Sequence, residues 1–561
     1  MPGTNVFGFG AADLVEIALA ALLLAAAIIW RERLVALAML SAASKRWSML
    51  LVAALPVVLR LALLPGHPVP RPEIYDEFSH LLVADTLRHF RLANPPHALP
   101  QFFETFFVLQ RPTYSSIYPL GQGLMLAIGW TLFGTPWAGV VTAIAAFCAL
   151  CYWMLRGWTT PGWALVGGVL AAIEFGPLNQ WMNDYWGGAL PAAAGCLVFG
   201  ALPRLRDRPR QRDAVLLGLG LALNLITRPY ESIFLFLSVA LWFLPVLRRR
   251  AEGRPLARLL PDAALVLLPA LALLGAQNKA VTGSWTTMPE MLSQYQYGVP
   301  AALTFQPNPE PHVPLTPQQA MDYRMQLGFR GPNADTLSTF LQRLEYRVRY
   351  YRFFFPAPLY VALAAFLACL GRWRFAWVAL TLALFALGVN FFPAFQLHYV
   401  AAATCLFILV QVAGLERLHR ALPEAALLLI FLVVAQFVFW YSLHAFFDGA
   451  DFSRAVRRYE TWDFIDHRAA TRRSTVENAL AKVPGKVLVF VRYSPLHMFQ
   501  DEWVYNRADI DGSRIVWARD LGMEENEQLR HYYPDRSVWL LEPDARPLRL
   551  LPYQQGQNSM P

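Results

Sequence analysis

The chain has 561 residues, of which 56% are hydrophobic and only 16% charged, against about 45–50% and about 25% in soluble proteins. This excludes a cytosolic enzyme, a secreted disulfide scaffold and a disordered hub, and it reads as a polytopic membrane protein. The net charge of +9 is not a nucleic-acid signal, because residues 446–561 carry 16 basic and 17 acidic side chains and the excess therefore sits in residues 1–445. Short basic loops there set membrane orientation.

Apolar runs of crossing type are predicted near 11–30, 48–64, 137–156, 162–176, 187–203, 213–227, 230–247, 259–276, 353–370, 375–391, 399–415 and 423–444. The first is not a cleavable signal peptide, since its basic residues follow it rather than precede it. Arg31, Arg33, Lys45, Arg46, Arg156, the five arginines of 204–212, those of 248–258, and Arg372, Arg374, Arg417 and Arg420 all fall on one side under strict alternation. That side is read as cytoplasmic, so both termini and both long loops, 65–136 and 277–352, are expected outside. The five cysteines, Cys148, Cys151, Cys196, Cys369 and Cys405, lie inside apolar runs and read as helix packing.

In the first outer loop, residues 78–91 (FSHLLVADTLRHFR) and 120–133 have apolar spacing suited to interfacial helices. The second outer loop opens Pro-rich and ends helical and basic (LQRLEYRVRYYRFFF). From residue 446 the composition changes, with a helical stretch at 453–482 and strand-like runs at 486–493, 514–518 and 537–541. These predict a small α/β domain. No internal repeat is visible, which counts against an inverted-repeat transporter.

Chemistry concentrates at outer helix ends. Tyr75-Asp76-Glu77-Phe78-Ser79-His80 supplies two adjacent carboxylates, enough for a general base and a partner. Asp76 and His80 are four residues apart and share a helix face; acidic residues favoured at a helix N-terminus are the plainer reading of the same pair. Arg60, Glu174, Asn183-Asp184-Tyr185-Trp186, Arg228-Pro229-Tyr230-Glu231 and Gln396-Leu397-His398-Tyr399 all sit at outer ends. Ionisable groups there are costly, and their convergence points to one shared outward cavity. Tyr114 to Gly123, with Tyr118 and Gln122, leads into a helix N-terminus able to hold a phosphate. No metal motif is present; no cofactor is predicted, with a divalent metal left open.

An acidic pair opening the first outer loop, an interfacial helix, a Pro element leading to an apolar helix ending in Phe133-Gly134, and a C-terminal soluble domain together resemble the GT-C superfamily of membrane glycosyltransferases. The resemblance is especially to the protein O-mannosyltransferase and aminoarabinose-transferase branch. The motif likeness covers about residues 70–160, and the remainder matches in architecture. It implies an all-α polytopic bundle of about twelve helices over residues 1–445 with an extracytoplasmic α/β domain at 446–561. It also implies a polyprenyl-phosphate-linked sugar donor, a glycan, lipid or protein acceptor, and action on the periplasmic face of a bacterial inner membrane.

The family's catalytic base maps onto Asp76, with Glu77 beside it. Where the family often has His-Pro-Pro-Leu, this chain has Tyr118-Pro119-Leu120-Gly121. Candidates for the donor phosphate are Arg60, Arg111, Arg228, Arg347, Arg349 and Arg352. Candidates for substrate contact are His80, Tyr118, Gln122, Glu174, Asp184, Tyr185, Trp186, Tyr230, Glu231, His398 and Tyr399. Two alternatives stay open: a transporter or flippase of a lipid-linked glycan, and a non-catalytic assembly subunit on the same scaffold.

Overall fold

The computed structural model describes residues 22, 25, 26, 29, 44–248, 258–331, 335–446, 462, 465 and 472–553. Most of the expected first crossing at 11–30, Arg31 and Arg33, the loop arginines at 249–254, and most of 447–471 lie outside the described residues.

The described chain is mainly helical, with its apolar helices close to the expected places. Five are long and apolar enough to cross a membrane: Trp137–Leu155, Pro229–Val246, Leu260–Thr282, Leu397–Ala421 and Pro423–Phe446. A sixth would join Leu337–Phe354 to Ala357–Leu367, but the two halves meet at 110°. The run expected at 353–370 is thus bent, with Pro356 standing at the break. Others are short: Leu120–Phe133 and Pro161–Glu174 have 14 residues each, roughly 21 Å of helix against a hydrocarbon core of about 30 Å. A count of twelve full crossings is therefore not reached by length and composition among the described residues.

Small residues let the first outer helices approach the bundle. A Cβ on Gly129 would lie 2.1 Å from the amide nitrogen of Gly139, so Leu120–Phe133 and Trp137–Leu155 meet backbone to backbone. A Cβ on Gly121 would lie 2.0 Å from Thr227 Oγ1, which fixes the start of the 120–133 helix against the end of Gln211–Thr227. Tyr75–Arg88 packs along Leu120–Phe133, burying Ala84 with Leu126 and Ala127. The second of these helices is where the sequence pattern placed it, and the first runs Tyr75–Arg88 rather than 78–91, because Glu77 caps its start and the chain turns off at His89 and Phe90.

The C-terminal sheet comprises β3 (Lys486–Val491), β4 (Ile515–Arg519), β5 (Arg536–Glu542) and β6 (Arg549–Pro552), in the order β4-β3-β5-β6. The first three are parallel and β6 runs antiparallel to β5. β6 was not foreseen. Central β3 reads KVLVFV because both its faces are covered. Val487, Val489 and Val491 pack with Val476 and Leu480 of the Arg472–Ala481 helix. Leu488 and Phe490 pack with Leu82, Phe102, Phe103 and Tyr114 of the first outer loop.

Polar ties reinforce that docking. Ala508 N–H donates to Asp85 Oδ2 (2.9 Å), and Tyr114 Oη donates to the Asn506 carbonyl (2.9 Å). Arg519 donates to the Glu104 carbonyl (2.7 Å) and to Gln318 Oε1 (2.8 Å) while pairing with buried Glu502 (2.8 Å). The sheet thus takes its second covering layer from a loop nearly four hundred residues earlier.

Candidate active site

A cavity of about 960 Å³ opens between one set of helix ends and the loops 65–136 and 277–352. Asp76 stands on its wall in the first turn of Tyr75–Arg88. Tyr118 Oη donates a hydrogen bond to Asp76 Oδ1. Tyr118 is itself fixed from three sides: its amide donates to Ser116 Oγ (3.0 Å), its carbonyl accepts from Gln277 Nε2 (2.9 Å), and its ring stacks on His80 at 4.1 Å. Ser116 Oγ in turn bonds Ser79 Oγ (2.7 Å), which donates to the Phe107 carbonyl (2.7 Å). The short antiparallel pair β1 (Val108–Leu109) and β2 (Ser115–Ser116) holds these groups in register.

Burial raises the Asp76 carboxyl to about 6, against the opposing pull of the Tyr118 hydroxyl and the Arg228 charge. The group is therefore a carboxylate at neutral pH, yet basic enough to take a proton. Burial, aided by the Arg228 charge, pushes His80 down to about 3 and keeps its ring neutral. Burial also lifts Asp322, on the facing loop helix Pro317–Arg330, to about 7, partly offset by Gln326 and further raised by the Asp76 charge.

Arg228 occupies the break between Gln211–Thr227 and Pro229–Arg248, where Pro229 supplies no amide hydrogen and the helix must restart. Its guanidinium lies 5.5 Å over the Tyr399 ring. Glu231 and Glu290 line the same cavity, and the Arg228 charge acts on the Glu290 carboxyl, which burial raises. Trp186 meets His398 edge-on at 5.6 Å, and Tyr230 Oη donates to the Gly388 carbonyl (2.9 Å). The structure therefore brings Asp76, His80, Tyr118, Gln122, Trp186, Arg228, Tyr230, Glu231, Arg347, His398 and Tyr399 to one cavity.

The remaining candidates stand elsewhere, each for a visible reason. Glu77 points into the protein, where its carboxylate accepts the amides of Glu73 (2.8 Å), Ile74 (3.2 Å) and Tyr185 (3.0 Å). It closes the helix N-terminus rather than facing the cavity. Asp184 and Tyr185 follow it inward: Asp184 accepts the Trp186 amide (3.1 Å), and Tyr185 Oη donates to the Pro70 carbonyl (2.8 Å). Glu174 is buried in the bundle beside Gln411.

Among the arginines, Arg60 is buried and spans Asn183 Oδ1 (2.8 Å) and the carbonyls of His67 and Pro68 (3.0 Å each). Arg111 and Arg352 are exposed, away from the cavity wall. Arg349 is spread over Tyr346 at 3.6 Å. Arg347 does reach the cavity but donates to the carbonyls of Val389, Phe392 and Pro393 (3.2, 2.6 and 2.8 Å).

Sequence reasoning missed Gln277, Glu290, Asp322, Arg330, Arg343 and Gln500, all on the cavity wall. Gln500 comes from the C-terminal sheet domain, on a loop pinned by His497, whose ring bonds Asp544 Oδ1 (2.8 Å) and the Asp501 carbonyl (3.0 Å). No local signal marks these positions, because they reach the cavity through loop folding rather than periodicity.

No protein-family model and no curated protein matches the chain. Among solved structures, ArnT from Cupriavidus metallidurans in the apo state is similar at 12% identity over 89% of this chain and 93% of that one, with a TM-score of 0.50. The same protein bound to undecaprenyl phosphate matches at 11% identity over 89% and 93%, with a TM-score of 0.44. The Archaeoglobus fulgidus oligosaccharyltransferase in the apo form matches at 11% identity over 88% and 69%, with a TM-score of 0.36. In fold, the chain is similar to ArnT from Cupriavidus metallidurans over nearly the whole length of both chains.

Proposed function

We propose that the protein transfers a sugar from a polyprenyl-phosphate donor to an acceptor hydroxyl or amine, with inversion, on the outer face of the membrane. The observation that carries this reading is the Asp76–Tyr118 pair on a cavity wall that also presents Arg228. Asp76 takes the acceptor proton as the acceptor oxygen or nitrogen bonds to the sugar's anomeric carbon. The bond from that carbon to the phosphate oxygen breaks, and its electron pair leaves with the lipid phosphate. Arg228 stabilises the charge that develops there. It suits this task better than Arg60 or Arg347, whose donors are directed to protein carbonyls and an amide.

On this reading the chain makes twelve crossings over residues 1–445, with both termini and the 446–561 domain outside, on the periplasmic side of a bacterial inner membrane. A lipid-linked donor explains why the site lies at helix ends, level with the headgroups. The acceptor belongs to a glycan, lipid or protein.

The test is transfer of labelled sugar from polyprenyl-phosphate donors in detergent, with donor binding measured on the same preparation. Asp76→Asn keeps the size of the side chain and removes its basicity, so transfer falls by about 10²–10⁴-fold while donor binding persists. Near-normal transfer in Asp76→Asn removes Asp76 as the base.

A further inference from the structure

The C-terminal tip of the Tyr75–Arg88 helix is built unlike a water-facing loop. Phe90 holds a left-handed φ of 55° and is 98% exposed. A bulky residue in that region is strained, and an aromatic ring fully in water gains nothing in return. Its neighbour helix, Leu120–Phe133, exposes Leu124, Ile128 and Leu132 at four-residue spacing, followed by Phe133. Four residues on, at Trp137, begins the Trp137–Leu155 helix, long and apolar enough to cross a membrane.

Cations surround the same edge. The Arg88 guanidinium lies 4.3 Å over the Trp130 ring, and Arg507, from the C-terminal domain, lies 5.6 Å over it. Arg91 stands exposed beside Phe90. Among the described residues, the carboxylate within pairing distance of Arg88 is Asp85 at 3.4 Å, and that group also accepts the Ala508 amide. Both guanidinium groups thus bring positive charge to one indole, and guanidinium planes suit a phosphate.

We propose that this tip is a phospholipid site. The phosphodiester of an outer-leaflet lipid sits between Arg88 and Arg507 beside Trp130, and Phe90, Leu132 and Phe133 enter the acyl boundary. A lipid is favoured over a protein partner because the patch continues directly into a membrane-crossing helix and pairs exposed apolar side chains with cations, the pattern of an interfacial anchor. Because Arg507 belongs to the domain that also supplies Gln500 to the cavity wall, the headgroup holds that domain down over the site. The proposal does not depend on the glycosyl-transfer reading.

The test is spin-label power saturation on Phe90→Cys in nanodiscs of phosphatidylcholine with phosphatidylglycerol. Cys148, Cys151, Cys196 and Cys405 are buried, and the wild-type protein serves as the control for labelling at half-buried Cys369. The expected result is several-fold greater access to oxygen than to a water-soluble nickel chelate. Leu132→Cys reports the same depth should Phe90→Cys fold poorly. Nickel-dominated access at both positions overturns the docking, and dipolar broadening between labels overturns it in favour of a second copy of the chain. In a second arm, native mass spectrometry of protein released from the same nanodiscs should show one phospholipid fewer on Arg88→Gln with Arg507→Gln than on wild type. Equal retention overturns the headgroup clamp.

Discussion

Replacing Tyr118 with Phe isolates the effect of one hydroxyl on the proposed base. The ring should stay in place, since it stacks on His80 and its backbone is held by Ser116 and Gln277. What disappears is the hydrogen bond that stabilises ionised Asp76, whose carboxyl stands at about 6 with that bond present. A hydrogen bond to a charged group contributes about 1.5–3 kcal/mol, or roughly 1–2 pKa units. The Asp76 value should therefore climb to about 7–8 in the variant. A base works in its ionised form, so activity is present above the pKa and lost as pH falls through it. At pH 7 the ionised fraction drops from about 90% to about 10–50%, a loss of roughly two- to tenfold that recovers by about pH 9. The assay is the pH dependence of transfer rate for both proteins. An acid limb that does not move, or a rate equally depressed at every pH, refutes the reasoning.

Glu77→Gln keeps the side chain's shape but weakens three hydrogen bonds to backbone amides; it should lower thermal stability by about 1.5–3 kcal/mol while turnover per folded molecule changes little. Arg228→Gln should weaken binding of the polyprenyl-phosphate donor by tenfold or more, read by binding of the labelled lipid, without unfolding the bundle. Arg519→Met leaves Glu502 buried without its cation, at a cost of about 3–5 kcal/mol, and limited proteolysis should then release the C-terminal sheet. Asp322 carries a folded-state value of about 7 against an ordinary 3.8, so its contribution to stability is full below about pH 4 and is lost as pH rises through about 7. Asp322→Asn should flatten that part of the melting-temperature profile.

The parts of this molecule that were legible in sequence are those encoded by short-range pattern. Apolar spacing located the Tyr75–Arg88 and Leu120–Phe133 helices and three of the four C-terminal strands. The four-residue spacing of Asp76 and His80 put both on one helix face, and both line the cavity. Outer-end clustering also gathered Arg228, Glu231 and His398, because each terminates or restarts a helix at one level of the bundle. The same rule failed for Arg60, Glu174 and Asp184. A polar residue at an outer end can satisfy itself inward, and only packing reveals which way it turns. Arg60 found carbonyls in its own connecting loop. Adjacent Asp76 and Glu77 looked equivalent, yet neighbouring helical positions point about 100° apart, so one faces the cavity and the other the helix start. Gln500 and Asp322 were invisible because their neighbours in space lie hundreds of residues away in sequence.

That separation has a consequence for how the protein is made. The first outer loop finds its partners 392 to 436 residues later, at Asn506, Ala508, Arg519's pairing with Glu104 and Tyr533. At about 5–20 residues per second of synthesis, the loop waits roughly 20–90 s for them. Throughout that interval Phe102, Phe103 and Leu82, all later covered by the sheet, are presented uncovered to whatever chaperones or proteases meet them. The cavity wall receives Gln500 only after the whole bundle has been made, so a ribosome that stalls before that residue leaves behind an inserted bundle with an open site.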